Sequence, residues 1–205
     1  GYWWVGGLIV TGAYIGVRAF VRTEEGQYAW DPAVRGADAD FRPSPPVRLH
    51  IPTERQAFAD ALASTAVKTP EFVTPADVPS LVRQAVRGAE VWREGPPEVR
   101  AAVLIRAAEA MRARRMALGA LIVREGRKVW AEALADVDEA VDYLRFYARS
   151  MTSWHNVLGD RLRPLGVAAV IPPWNFPLAI PCGMTVAALA AGNAVLLKPA
   201  EQTPA

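Results

Sequence analysis

Apolar residues in the last forty positions of the chain predict a strand, a helix and a second strand. Residues 166–171 form a short apolar run ending in β-branched residues, and residues 193–197 form another. The apolar run at 178–191 between them is long enough for a helix. Parallel strands need a crossover connection of this kind, so the pattern predicts one βαβ unit of an α/β fold.

Residues 74–149 show apolar residues at helical spacing. Thr74 is a plausible N-cap for the first helix, with Pro75 at its first position. Because Pro79 does not suit such a helix, either the helix begins nearer Ser80 or its first turn is distorted. Its apolar face comprises Val78, Leu81, Val82, Ala85, Val86 and Ala89. Further helices are predicted at 96–114, 116–125 and 130–149. Their predicted buried residues are Leu104, Ala107, Ala108, Met111, Leu134, Val137, Val141, Leu144 and Tyr147. These helices should form a layer on one face of the sheet.

The first seventy residues do not follow this pattern, and we divide the chain into 1–70, unassigned, and 71–205. Residues 1–17 carry no charge and fit a short membrane span, a buried strand pair or a piece of a preceding domain. The proline-rich stretch 29–52 predicts an extended, solvated connector, and 53–66 predicts a short helix. We expect the chain to be part of a longer protein.

Composition narrows the classes of function. A hydrophobic content of 52% with 21% charge is ordinary for a globular protein, and a net charge of +2 gives no case for nucleic-acid binding. One cysteine cannot form an internal disulfide and suits a reducing compartment. Two distant histidines and one cysteine do not predict a metal site. We expect a cytoplasmic protein, with peripheral membrane association left open by the apolar segment 1–17.

Polar groups follow both predicted strands, at the sheet edge where ligands bind in open α/β sheets. Pro172 and Pro173 end the first strand, and Trp174 and Asn175 follow. A rigidly held Asn175 amide could donate to an oxyanion, or the residue could simply cap the next helix. Residues 198–201 (Lys-Pro-Ala-Glu) follow the second strand, where the charged pair either binds a ligand or is an exposed ion pair.

Residues 173–177 (Pro-Trp-Asn-Phe-Pro), with Lys-Pro-Ala-Glu beginning 23 positions after Asn175, resemble the aldehyde dehydrogenase superfamily. The segments 175–180, 187–193 and 198–204 are most similar to the L-glutamate γ-semialdehyde (pyrroline-5-carboxylate) dehydrogenase part of bacterial bifunctional proline utilisation A proteins. The resemblance covers residues 74–205. It implies an incomplete Rossmann-like NAD-binding domain, made of an amino-terminal helical layer and the first βαβ unit.

The resemblance also implies a reaction and its residues. The full-length protein would oxidise L-glutamate γ-semialdehyde to glutamate with NAD, as a homo-oligomer, with a proline dehydrogenase domain expected upstream. Asn175 would donate to the oxygen of the thiohemiacetal, Lys198 and Glu201 would bind the adenosine ribose, and Pro172, Pro173 and Trp174 would line the cofactor cleft. A carboxylate at Glu201 disfavours the 2′-phosphate of NADP.

The chain differs from the family's pattern in two respects. The family's cysteine nucleophile, general-base glutamate and Gly-Ser-Thr loop are expected beyond residue 205, so residues 1–205 alone should be inactive and Cys182 should be a buried apolar residue. The family's Glu-Ala-Gly-Lys is replaced by Glu125-Gly126-Arg127-Lys128, which puts the turn geometry in question. Another semialdehyde or fatty-aldehyde dehydrogenase, or a non-catalytic membrane-tethered paralogue, remains an alternative.

Overall fold

A computed structural model describes residues 21–22, 41–68 and 70–205. The predictions for residues 1–17 therefore lie outside the described residues, and the boundary near residue 70 stays a prediction. The helices are α1 Pro52–Ser64, α2 Val78–Glu94, α3 Pro97–Ala113, α4 Arg115–Gly126, α5 Trp130–Leu158 and α6 Ala179–Ala190. The strands are β1 Val21–Arg22, β2 Arg163–Pro164, β3 Val167–Val170 and β4 Ala194–Leu197, and a 3-10 turn, Gly159–Arg161, follows α5.

The predicted βαβ unit is present. Strands β3 and β4 are parallel, with Val167 opposite Ala194 and Val170 opposite Leu197. The fully buried Asn193 ties the unit together, since its Oδ1 accepts from the Gly166 N–H at 2.8 Å and its Nδ2 donates to the Ala188 carbonyl at 3.1 Å. One side chain thus joins the start of β3 to the end of α6, which confirms the predicted α/β class.

Helix α5 is the centre of the helical layer. All five of its predicted inward residues are buried, and it packs along α3, α4 and α6. It runs nine residues past its predicted end at 149, because Ser150, Met151 and Leu158 are also buried. Ala107 on α3 is exposed, so that prediction was wrong. The layer reaches the sheet through α2 and α6, which are the helices in contact with β3 and β4.

Of the two alternatives for the start of α2, the later one, near Ser80, is correct, and Thr74 is not the N-cap. Thr74 does not cap a helix, because its N–H and hydroxyl both donate to the Asp77 carboxylate, at 2.9 and 2.7 Å, and close a turn before the helix. Helix α2 begins at Val78, which places Pro79 in the first turn, where a missing N–H costs nothing. Most of the predicted apolar face is not buried: among its residues, Val78, Val82 and Val86 are exposed and only Ala89 is fully buried.

Residues 41–51 lack regular helix or strand, as predicted, but they are docked rather than solvated. The Phe41 ring meets Phe146 edge to face at 5.3 Å between centroids. The Ser44 hydroxyl and N–H donate to Asp142 at 2.7 and 2.9 Å. Apolar residues in a proline-rich sequence can still pack when a helix offers a groove and a hydrogen-bond acceptor. Within the described ranges, no helix combines the length and the apolar character needed to cross a membrane.

The turn between α4 and α5 explains the displaced glycine. Gly126 is the last residue of α4, and Arg127 follows in the left-handed region with φ 53° and ψ 30°. This is the position at which the family phrase has glycine. A side chain in this region costs about 1 kcal/mol relative to glycine, which adopts it without a Cβ clash.

Arg127→Gly is therefore expected to raise the free energy of unfolding by about 0.5–1 kcal/mol, after allowing for the greater entropy of glycine in the unfolded chain. The exposed Arg127 side chain makes no hydrogen bond to another described residue, so little else is lost. Thermal melting of the variant measures the change. Arg106→Gly is the control: Arg106 is exposed in the interior of α3 and its φ is not positive, so the same change there should lower the free energy of unfolding by about 0.5–1 kcal/mol. A lower melting temperature for Arg127→Gly would contradict the prediction.

Candidate functional site

The candidate residues follow the carboxyl ends of the two parallel strands, β3 and β4. Because Val170 and Leu197 are directly paired, the chain segments that follow them start side by side. The Lys198 N–H donates to the Val170 carbonyl at 2.9 Å and extends the ladder by one bond. The two sequence motifs, separated by more than twenty residues, are thus brought together at the carboxyl ends of parallel strands, where ligands bind in this class of fold.

The turn after β3 presents Asn175 to solvent. Residues 171–178 contain no helix or strand; Pro172 is buried and Pro173, Trp174 and Asn175 are exposed. Helix α6 begins at Ala179 with Leu178 as its N-cap and without a side-chain capping bond, so Asn175 does not cap it. No described residue forms a hydrogen bond with the Asn175 side chain. Its amide is therefore available to donate to a ligand.

Lys198 and Glu201 form an ion pair after β4. Lys198 Nζ lies 3.1 Å from Glu201 Oε1, and the side chains are 57% and 78% exposed. An exposed pair of this kind contributes little to stability, so either group can turn to a ligand at small cost. Vicinal hydroxyls suit this pair, because a carboxylate accepts from them and an ammonium donates to them.

A second ion pair lies beneath the turn and was not predicted. Lys128 Nζ is 3.0 Å from Asp136 Oδ2 and 3.9 Å from the centroid of the Phe176 ring. Asp136 Oδ1 accepts from the Ala179 N–H at 2.6 Å, at the first residue of α6. Burial raises the pKa of Asp136, and the bonds from Ala179 and Lys128 oppose that rise. A sequence signal was present, since Asp136 falls on the inward face of α5 between Leu134 and Val137.

The α4–α5 turn also touches the segment that follows Glu201. The Ala205 N–H donates to Glu125 Oε1 at 2.9 Å, and Thr203 is buried. A Cβ on Gly126 would lie 3.8 Å from Thr203 Cγ2 and 3.9 Å from Pro177 Cγ. This turn therefore supports both loops of the candidate site.

Cys182 is packed rather than reactive. Its thiol donates to the Ala140 carbonyl at 3.6 Å, and burial, with a further contribution from Asp136, raises its pKa to about 12. A thiol with so high a pKa is a poor nucleophile at neutral pH. Cys182 therefore packs against the core as an apolar residue, as predicted, but it is partly rather than fully buried. In the described part of the chain, no three His, Cys, Asp or Glu residues are grouped so as to hold a metal ion.

Comparison with known proteins agrees with this geometry. The model of the aldehyde dehydrogenase family matches residues 53–205. The bifunctional protein PutA of Escherichia coli is 47% identical over 131 residues, 64% of this chain and 10% of that protein. The 1-pyrroline-5-carboxylate dehydrogenase of Bacillus mycoides is 45% identical over 125 residues, 56% of this chain and 24% of that protein. The chain thus spans a quarter or less of the length of these relatives.

Two solved structures share the fold. A Thermus 1-pyrroline-5-carboxylate dehydrogenase with bound NAD has a TM-score of 0.72 and 30% identity, covering 80% of this chain and 40% of that one. Proline utilization A from Bdellovibrio bacteriovorus has a TM-score of 0.72 and 29% identity, covering 87% of this chain and 22% of that one. The family match covers most of the chain, and the described βαβ unit has the family's motifs at its carboxyl edge. The chain belongs to the aldehyde dehydrogenase family.

Proposed function

We propose that the full-length protein carrying this chain oxidises L-glutamate γ-semialdehyde to glutamate with NAD, as a step of proline catabolism. The observation that carries the proposal is the carboxyl edge of β3 and β4, where the Asn175 amide, which bonds to no other described residue, lies on the segment next to the Lys198–Glu201 pair. The names of the PutA and dehydrogenase relatives support the choice of substrate.

Each group has a role in this proposal. The exposed Lys198 and Glu201 side chains fit an adenosine ribose, and Pro172, Pro173 and Trp174 line the cleft beside it. Bound NAD would accept the hydride that the aldehyde loses. Asn175 donates its side-chain N–H to the aldehyde oxygen as negative charge develops there, which is where a fixed donor accelerates the reaction most. The chain's own contribution is thus cofactor binding and stabilisation of an oxyanion.

Glu201→Gln is expected to raise the KM for NAD and to relax discrimination against NADP, because the carboxylate no longer repels a 2′-phosphate. Steady-state kinetics with both cofactors, on wild type and variant, measure the change. Glu109→Gln is the control, since Glu109 is likewise an exposed carboxylate paired with a cation, Arg145, at 3.3 Å, and it has no part in the proposed site. An unchanged ratio of kcat/KM for the two cofactors would show that Glu201 does not contact the ribose.

The substrate is tested with the full-length protein and a panel of aldehydes: glutamate γ-semialdehyde, other semialdehydes and long-chain fatty aldehydes. We expect the highest kcat/KM with glutamate γ-semialdehyde and NAD. A preference for another aldehyde would support the alternative dehydrogenases. Absence of NAD reduction with all of them would support a non-catalytic paralogue instead.

We also propose a cytoplasmic homo-oligomer with a proline dehydrogenase domain upstream and no nucleic-acid partner. Support comes from the resemblance, from the bifunctional PutA relative and from the near-neutral net charge. The amino-terminal region, 1–70, would precede the dehydrogenase part, 71–205, in this arrangement. Light scattering and an assay of proline oxidation on the full-length protein test both points.

A further inference from the structure

We propose that Lys128 and Asp136 are positioning residues that fix Asn175, and that they act on catalysis through it. The proposal rests on the proposed function of Asn175 as an oxyanion donor. Neither residue lies on the exposed carboxyl edge: the Lys128 side chain is 11% exposed and that of Asp136 is 0% exposed. Both lie below the turn that carries Asn175.

Asp136 anchors one end of the turn. It belongs to α5, yet its Oδ1 accepts from the N–H of Ala179, the first residue of α6. Leu178 makes no side-chain capping bond of its own, so a carboxylate from a neighbouring helix replaces the local cap. A negative charge at a helix N-terminus is also favourable to the helix dipole. The start of α6 is therefore fixed relative to α5.

Lys128 anchors the other end. Its ammonium lies 3.0 Å from Asp136 and 3.9 Å from the centre of the Phe176 ring. Phe176 is the residue directly after Asn175. A desolvated cation over an aromatic face is an attractive and directional contact. The same ammonium therefore joins Asp136, the start of α6 and the residue next to the oxyanion donor.

This arrangement controls placement more than it adds stability. A buried ion pair often contributes little net stability compared with apolar residues of the same volume, although breaking it is costly. Placement, in contrast, has a steep effect on rate, since an error of about 1 Å in a reacting group can cost about 100-fold. The exposed turn itself supplies few restraints beyond its prolines, so the anchors beneath it determine where the Asn175 amide points.

The test is a double-mutant cycle in the full-length protein, with NAD and glutamate γ-semialdehyde. Lys128→Met keeps the length of the side chain and removes the charge. We expect it to lower kcat by about 10–100-fold with little change in the KM for NAD. In an Asn175→Ala background the same change should lower kcat less than about threefold, because the donor that it positions is already absent. Lys128→Arg should recover part of the rate.

Two further variants separate positioning from stability. Arg115→Met breaks another partly buried ion pair, which joins the first residue of α4 to Asp138 on α5 and has no contact with the Asn175 turn among the described residues; we expect a lower melting temperature and an unchanged kcat. Phe176→Leu removes the ring and leaves the Lys128–Asp136 pair intact, so it stays informative if Lys128→Met fails to fold. It should lower kcat about 3–10-fold, again only when Asn175 is present.

The outcomes distinguish the two proposals. If Asn175→Ala lowers kcat and the Lys128 and Phe176 effects are the same with and without Asn175, the positioning role is overturned and the oxyanion role stands. If Lys128→Met and Phe176→Leu leave kcat unchanged, the positioning role is likewise overturned. If Asn175→Ala itself has no effect on kcat, the oxyanion role fails and the positioning role fails with it.

Discussion

Replacement of Asn175 by alanine in the full-length protein is expected to lower kcat by about 100- to 1,000-fold and to leave the KM for NAD within about twofold. The substitution removes one donor to the developing oxyanion. It leaves every proposed cofactor contact in place, because Lys198 and Glu201 follow the other strand and residues 172–174 are unchanged. Steady-state kinetics at saturating NAD measure both constants.

The structure indicates that this substitution should not affect stability. Asn175 is exposed, does not cap α6 and has no hydrogen bond to another described residue, so its removal should leave the melting temperature unchanged. Asn156→Ala is a matched control, since Asn156 is an exposed asparagine on α5 without a described hydrogen-bond partner. A kcat equal to that of the wild type would remove the oxyanion role. A fall in kcat accompanied by a lower melting temperature would point to misfolding.

The elements that could be predicted are those set by local signals. The bounds of β3, α6 and β4 agree with the predicted runs to within one residue, because prolines, a glycine and an asparagine interrupt short apolar segments there. The same reasoning placed Asn175, Lys198 and Glu201 at strand ends, and parallel pairing then brings them to one edge. Sequence spacing alone could predict their proximity, although their roles remain a proposal.

The features that were missed depend on tertiary contacts. Helix α5 continues through Thr152 and Ser153, residues that usually weaken helices, because Met151 and Leu158 on the same stretch are buried. The two hydroxyls donate to the carbonyls four residues earlier, which satisfies them without stabilising the helix.

The apolar face of α2 was predicted to be buried, but most of it is exposed. Helical periodicity identifies an apolar face and does not show which neighbouring element covers it. The role of Asp136 could not be predicted, because it depends on contacts with Lys128 and with the start of α6 that only the folded structure shows. Ala179 is 43 residues from Asp136, so the sequence shows only an isolated charge on the buried face of α5.

The second large effect that we predict is a loss of stability, and it follows from the close contact between α5 and α6. Gly183 faces the Tyr143 ring, and a Cβ there would lie 2.9–3.1 Å from three ring atoms. The ring cannot easily move, because its hydroxyl donates to Glu139 at 3.0 Å and it stacks on Tyr147 at 5.9 Å between centroids. Gly183 is therefore required by the close approach of the two helices, and its φ is not in the left-handed region.

Gly183→Ala is expected to lower the free energy of unfolding by about 1–3 kcal/mol, the usual range for an overpacked core. Gly88→Ala on α2 is the matched control, because Gly88 is exposed and a new Cβ there meets no atom within 4 Å. Alanine is the better helix former, so this control should gain about 0.5–1 kcal/mol. The same substitution thus has opposite signs at the two sites, and denaturant or thermal unfolding of both variants measures the difference. Stabilisation by Gly183→Ala would show that α6 can move away from Tyr143, and the rigid support inferred for the Asn175 turn would then be wrong.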